Sequence, residues 1–254
     1  MRIAVISDIH GNLVALDAVL DDLARERYDE LICLGDVALR GPQPVACLER
    51  VRELGCPVVM GNTDEWLLTE NPSWRVPDAD DPIMVIDMWC AEQLTAADRE
   101  VIRTFQAAIG IGIDSNSILF YHGSPRSNTE NILSITPEID LETMIGDCRA
   151  TALVGGHTHL QMVRRKYEKT IVNVGSVGLP FLVNRADAPG SRHSLVAPWA
   201  EYAVIDFQAG RLSVDLRRVP IDLAMLERVV DASGMPKGEW WLSNRDRRLD
   251  YRRM

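Results

Sequence analysis

The sequence predicts an α/β fold, and three observations carry that expectation. Short, continuously apolar runs alternate with helix-period patterns from Ile3 onward. The runs are too short for helices and read as buried strands, and strand–helix–strand alternation predicts parallel pairing with right-handed crossovers. Five of the runs end on a glycine-flanked Asp, Asn or His, which gathers polar side chains at one end of a sheet.

Taken in order, Ile3 to Ile6 is a strand and Asp8-Ile9-His10-Gly11-Asn12 a loop. Leu13, Leu16, Leu20 and Leu23 share one face of the helix that follows. Leu31 to Leu34 is a second strand, ending at Gly35-Asp36. A helix runs from about Pro44 to Leu54, with proline suited to its first turn. Val58 to Met60 is a third strand, ending at Gly61-Asn62, and Asp64 is expected to cap a helix starting near Glu65. Asn71 to Pro82 is rich in Pro and Asp and reads as an irregular excursion. Ile83 to Leu94 and Ala96 to Phe105 are helical, Thr95 being the N-cap of the second. Ile109 to Ile113 and Ile118 to Tyr121 form a hairpin turning at residues 114–117, and His122-Gly123-Ser124-Pro125 follows. Pro137 to Ile145 is a helix, Ala152 to Val154 a strand before Gly155-Gly156-His157-Thr158-His159, and Ile171 to Val174 another. Gly178 to Pro198 is a long loop, broken by Pro180, Pro189 and Gly190. Tyr202 to Phe207 and Leu212 to Val219 make a second hairpin, and Ile221 to Val230 a closing helix. The tail from Gly234 to Met254 is polar apart from Trp240, Trp241 and Leu242. One main domain over 1–220, with the helix and tail of 221–254 packed on or extending from it, is the expected organisation.

Composition narrows the function. With 46% hydrophobic and 25% charged residues in 254, the chain can bury a core without disulfide staples. Its net charge of −10 repels polyphosphate backbones, so nucleic-acid binding is not expected. The five cysteines are odd in number and form no C-x-x-C pair, as in a reducing compartment. No run nears the roughly 18 apolar residues of a membrane span, nor does the start read as a signal peptide. A cytoplasmic location without membrane attachment is the expectation, and a homo-oligomer stays open.

Asp8, His10, Asp36, Asn62, His122, His157 and His159 all follow strands. Each alone has a plainer reading: Asp8 and Asp36 as helix caps, Asn62 as a turn residue, each histidine as a hydrogen-bonded loop residue. Together, carboxylate, imidazole and amide donors suit hard-to-borderline divalent ions such as Mn, Fe, Zn or Ni, with Mg also admissible. Seven donors exceed one ion and suit two, about 3.5–4 Å apart, sharing a carboxylate.

At this point the sequence resembles the calcineurin-like metallophosphoesterases, and among them the small bacterial and archaeal phosphodiesterase branch. Asp8-Ile9-His10, Gly35-Asp36, Gly61-Asn62, His122 and Gly155-Gly156-His157-Thr158-His159 stand in the family's order, and Gly175 to Gly178 follow as in that branch. The resemblance spans roughly residues 1–220 and implies a four-layer αββα sandwich. It implies one metal on Asp8, His10, Asp36 and His159 and a second on Asp36, Asn62, His122 and His157, with Asp36 bridging. Manganese is the leading choice, with Asp36, Asn62 and His122 at the catalytic heart. It implies in-line attack by a metal-bridging hydroxide on a phosphodiester or nucleotide phosphoanhydride. A phosphomonoesterase or protein serine/threonine phosphatase is the alternative. A protein-binding scaffold, like the small retromer subunit, is disfavoured because every ligand position holds a competent residue. The chain departs from the pattern at Thr63, where many relatives have a histidine that assists the leaving group. Thr63 cannot replace that proton donor, so anhydrides, nucleotidyl groups and aryl phosphates are the preferred leaving groups.

Several residues keep two readings. Arg40 and Arg126 either clamp a substrate phosphate or are solvated. Asn12 caps the helix at Leu13 and, by the resemblance, also lies near the site. His193 is a surface residue or a group supplied over the cleft. Arg245, Arg247, Arg248, Arg252 and Arg253 form a solvated terminus or, anchored by Trp240 and Trp241, a contact with the acidic body or a neighbouring subunit.

Overall fold

The computed structural model describes residues 1–69, 81–113, 116–182 and 195–246. Two mixed sheets organise it. The first runs β2-β1-β8-β9, where β1 is Arg2–Ile6, β2 Glu30–Cys33, β8 Trp199–Gln208 and β9 Arg211–Pro220. Its β1 and β2 are parallel, with Val5 opposite Ile32, while β1 and β8 are antiparallel. The second runs β3-β4-β5-β7-β6, built from Ile109–Ile113, Asn116–Phe120, Ala152–Gly155, Lys169–Asn173 and Met162–Lys166 respectively. Its inner strands β4, β5 and β7 are mutually parallel.

Side-chain alternation stacks the layers, because neighbours on a strand face opposite ways. Ile3 and Val5 of β1 and Ala203 and Ile205 of β8 meet Ile118 and Phe120 of β4, Ala152 and Val154 of β5, and Val172 of β7 in one buried cluster. The intervening Ala4, Ile6, Tyr202 and Val204 point the other way, into a core shared with the helices α1 (Leu13–Leu23), α2 (Pro44–Leu54) and α7 (Leu223–Ser233). On the far side, Leu119, Leu153 and Ile171 pack on Leu141 and Ile145 of α6, Glu138–Ile145. Helices, sheet, sheet and helix thus form the expected αββα order. Each buried aliphatic side chain contributes about 1.5–3 kcal/mol, so the intersheet cluster is what fixes the strand ends relative to one another.

Four expectations need correction. Val58 to Met60 is not a full strand: only isolated bridges tie Val58 to Cys33 and Val59 to Gln106. The edge strand β6 went unread because Met162-Val163-Arg164-Arg165-Lys166 has no apolar run, and a charged edge strand is what discourages edge pairing. The helix α3 begins at Asn62 and ends at Leu68, so Asp64 lies inside its first turn and is not its cap. The tail holds a short helix α8, Gly238–Ser243, and Arg245 beyond it is buried. The two helices of the excursion, α4 (Pro82–Gln93) and α5 (Ala96–Arg103), lie close to expectation, with Thr95 accepting from the Asp98 amide as cap. The bulk of the 71–82 excursion, the tip of the 114–117 turn, the middle of the 178–198 loop with His193, and the arginines after Arg245 fall outside the described residues.

Candidate metal centre

The loops after β1, β2, β4 and β5, with the start of α3, bring the predicted donors to one end of the sheets. Asp8, His10, Asp36, His157 and His159 all adopt left-handed backbone, with φ of 55°, 48°, 55°, 68° and 59°. That conformation is costly for residues with a Cβ and concentrates at functional sites. The close fit also needs glycines. A Cβ on Gly156 would lie 2.0 Å from Ser7 Oγ and 2.6 Å from Asp8 Oδ2, so no side chain fits there unless Asp8 moves.

The donor atoms converge. His10 Nε2 is 3.0 Å from His159 Nε2, and Asp8 Oδ1 is 3.2 Å from His159 Nε2 and 3.8 Å from His10 Nε2. Asp36 Oδ2 stands 3.6 Å from His10 Nε2 and 3.5 Å from His122 Nε2. Asn62 Oδ1 is 3.1 Å from His122 Nε2. Two compact groups result, Asp8–His10–His159 and Asp8–Asp36–His122, with donor atoms within 4.8 Å of one another. His157 lies beside His122, ring centroids 5.1 Å apart, and donates its backbone N–H to Asp8 Oδ2 at 2.9 Å.

The residues fit a metal. His10, His122 and His159 each direct Nδ1 at a backbone carbonyl, of Leu39, Leu34 and Leu179 at 3.2, 2.7 and 2.8 Å. A carbonyl only accepts, so each Nδ1 carries the proton and each Nε2 faces the centre, as in metal-ligating histidines. His10 Nε2 and His159 Nε2 stand 3.0 Å apart, the separation that two nitrogens make at a right angle on one ion about 2.0–2.1 Å away. Among the described residues, Asp8 Oδ1 is buried without a hydrogen-bond partner.

Electrostatics agree. Burial, reinforced by the neighbouring His159, pushes His10 down to about 3, and burial pushes His157 down to about 4, so both are neutral at pH 7. His122 goes the other way, up to about 9, because Asp36 and Asp8 outweigh its burial. The carboxyls of Asp8 and Asp36 lie below the usual range: burial raises them, and the histidines more than reverse it.

Several supporting residues were not foreseen from sequence. Asp64, fully buried, accepts from the backbone N–H groups of Asp36, Val37 and Gly61 at 2.7, 3.0 and 3.1 Å, stapling the Asp36 loop to α3. Ser7 Oγ donates to Asp8 Oδ2 at 2.5 Å, Ser176 Oγ to the Asp8 carbonyl at 2.7 Å, and Phe181 stacks on His159 at 4.6 Å. Ser176 lies in the Gly175–Gly178 stretch that the resemblance includes; the others have no sequence signal, since each depends on which loops meet. The substrate-binding candidates separate. Arg40 is charge-paired with Asp87, at 3.7 Å. Arg126 is half-exposed and gives its guanidinium to Glu130. Asn12 is buried, its oxygen capping α1 through the Ala15 amide and its nitrogen donating to the Gly178 carbonyl. Arg245 donates to the carbonyls of Gly178 and Ala197 and stacks on Trp241, so it is no solvated arginine.

Comparison with known proteins places this geometry. Residues 1–191 match the model of the calcineurin-like phosphoesterase superfamily domain, and the chain belongs to that family. It is 26% identical over 248 residues to an uncharacterised protein of Methanocaldococcus jannaschii, covering 96% of each. The crystal structure of a metallophosphoesterase from Sphaerobacter thermophilus superposes with a TM-score of 0.73 at 27% identity, over 96% of this chain and 98% of that one. A stretch of 71 residues is 41% identical to the symmetrical bis(5'-nucleosyl)-tetraphosphatase of Chromohalobacter salexigens, 27% of this chain and 26% of that one. The chain is a metal-dependent hydrolase of phosphate esters. Among the described residues, no helix is long and apolar enough to cross a membrane.

Proposed function

We propose that the centre holds two divalent ions, manganese first among them, and hydrolyses phosphodiester or nucleotide phosphoanhydride bonds. The observation that carries this reading is Asp36 Oδ2, nearly equidistant from His10 Nε2 at 3.6 Å and His122 Nε2 at 3.5 Å. With the family resemblance, this makes Asp36 the bridge between a site of Asp8, His10 and His159 and a site of Asn62, His122 and His157; Asp8 Oδ1, 3.8 and 4.0 Å from the same two nitrogens, reaches both groups as well. Bound ions would supply hydroxide at neutral pH and neutralise charge on the phosphoryl oxygens. The chain's part is to orient the donors through carbonyls and backbone amides and to present Arg40 to the phosphate. Asn12 acts one layer back, tying α1 to Gly178. Arg126 would reach substrate only by leaving Glu130.

Leaving-group preference follows from Thr63. Its side chain is fully buried, and its backbone N–H donates to Asp36 Oδ1 at 2.9 Å. It supports the bridge and supplies no proton to a departing oxygen. We expect kcat on aryl diesters and dinucleoside polyphosphates to exceed that on alkyl esters of similar size. The partial likeness to the tetraphosphatase favours the nucleotide arm. A panel with added Mn of bis- and mono-p-nitrophenyl phosphate, cyclic nucleotides, dinucleoside polyphosphates and a phosphopeptide measures this. Equal kcat for alkyl and aryl esters across pH would remove the argument, and a phosphopeptide as best substrate would replace the diesterase reading.

Metal binding should also release a proton. His122, held up at about 9, is charged at pH 7 in the metal-free chain, and a ligand imidazole must be neutral. Its raised value stabilises the metal-free fold fully below its ordinary 6.5, and that stability is lost as pH rises through 9. Mn affinity is therefore expected to rise by about tenfold per pH unit from neutrality and to level off above 9. Calorimetry in buffers of different ionisation enthalpy should count one proton from His122 at pH 7, in addition to any given up by metal-bound water. Zero protons would take His122 out of the ligand set.

A further inference from the structure

Arg40 stands at a point where three parts of the chain meet. Its backbone is left-handed, φ 74°, and its carbonyl accepts from Trp241 Nε1 of α8 at 2.7 Å. Its guanidinium lies over the Trp66 ring of α3, 5.8 Å from the centroid. Its Nε is 3.7 Å from Asp87 Oδ2 of α4, an ion pair too long for a hydrogen bond. The Arg40 side chain is 25% exposed and that of Asp87 only 5%, so the pair has a buried end and an open end. Among the described residues, neither Arg40 Nε nor Asp87 Oδ1 has a hydrogen-bond partner. Behind the larger effects of burial and the site histidines, the Arg40 charge lowers both Asp36 and His10, which puts the guanidinium within electrostatic reach of the donors.

A buried carboxylate is retained where it compensates or orients a cation, because alone it is unfavourable. Here burial pushes the Asp87 carboxyl up to about 7 against the opposing pull of Arg40, and the cation is held loosely, with a quarter of its side chain exposed. A planar fork fixed from behind by a carboxylate and below by an aromatic ring is suited to bidentate capture of a phosphoryl oxygen pair. We propose that Asp87 is a positioning residue that orients Arg40 toward a phosphoryl group of the substrate. The inference rests on the reading of the adjoining centre as the place where the phosphate ester is held. It makes α4, which lies between the metal-bearing loops in sequence and supplies none of the donors, part of the phosphate-binding apparatus.

The test is a double-mutant cycle on the full-length, Mn-loaded chain, with inorganic phosphate binding by calorimetry and KM and kcat on bis-p-nitrophenyl phosphate as readouts. Asp87→Asn, close in shape, should weaken phosphate binding and raise KM by about tenfold, the range seen when an orienting partner is lost, with kcat changed far less. In an Arg40→Ala background the same change should cost less than about twofold, because its effect travels through Arg40. An equal loss in both backgrounds, or no loss in the native one, overturns the proposal. Should Asp87→Asn fail to fold, Arg40→Lys keeps the charge and removes the fork: it should weaken phosphate binding similarly, and full retention overturns the proposal. A native Mn-loaded chain that neither binds phosphate nor turns over the diester would instead overturn the reading of the centre itself.

Discussion

Asp36→Asn is expected to lower metal-supported turnover by roughly 10²–10³-fold or more, the scale of losing a preorganised electrostatic group, while the fold persists. The substitution is nearly isosteric. Asn Oδ1 can still accept the Thr63 backbone N–H, now 2.9 Å from Asp36 Oδ1. Asp64 still accepts the residue 36 backbone N–H, now at 2.7 Å. What changes is the outer atom, which faces His10 and His122 at 3.6 and 3.5 Å. A carboxylate oxygen there can be shared by two cations, whereas an amide nitrogen cannot be shared and presents hydrogens instead. The check is kcat/KM on bis-p-nitrophenyl phosphate at saturating Mn, with circular dichroism and metal content alongside. Turnover near the native level would remove Asp36 from the centre.

Metal removal should have the second largest effect, on stability as well as on activity. Metal-free, the centre buries Asp8, His10, Asp36 and His122 at 0–1% exposure, and among the described residues Asp8 Oδ1 has no hydrogen-bond partner. Bound ions would give these buried donors partners. A ligand at a hundred times its dissociation constant adds about 2.7 kcal/mol to folding. For a chain of this length each kcal/mol is worth about 2–4 °C. Chelation is thus expected to lower the melting temperature by about 5–10 °C per site so loaded and to abolish hydrolysis, with Mn restoring both. An unchanged melting temperature after verified metal loss would mean that the lost ions were not held by these buried donors.

Much of the fold could be read in the sequence, because most of the strands that carry the candidate donors, β1, β4 and β5, are inner strands of the two sheets. Ile3 to Ile6 and Ala152 to Val154 are buried on both faces, so their runs are unbroken and conspicuous. Strands at sheet edges or outside them were harder. The Met162–Lys166 edge strand carries charge where solvent meets it, and Val58 to Met60 is apolar but makes only isolated bridges. Helix α8 was hidden because its six residues rest on tertiary contacts, with Trp241 on Arg40 and Arg245 on Gly178 following it. The seven candidate donors were legible because they follow five short apolar runs, four of them strands. Asp64, Ser7 and Asp87 were not. Asp64 looked like a helix cap, and only the approach of the Asp36 loop reveals that it receives three backbone amides from two segments. Asp87 sits among apolar residues of α4 and gains meaning only from Arg40, which lies 47 positions earlier in the chain.

The central claim is a two-ion centre bridged by Asp36. Its most direct test is to titrate Mn into the metal-stripped chain while following both bound metal and bis-p-nitrophenyl phosphate hydrolysis. Two ions per chain, with activity appearing as the second binds, is the predicted result. Full activity at one ion per chain, or saturation at one, would contradict it.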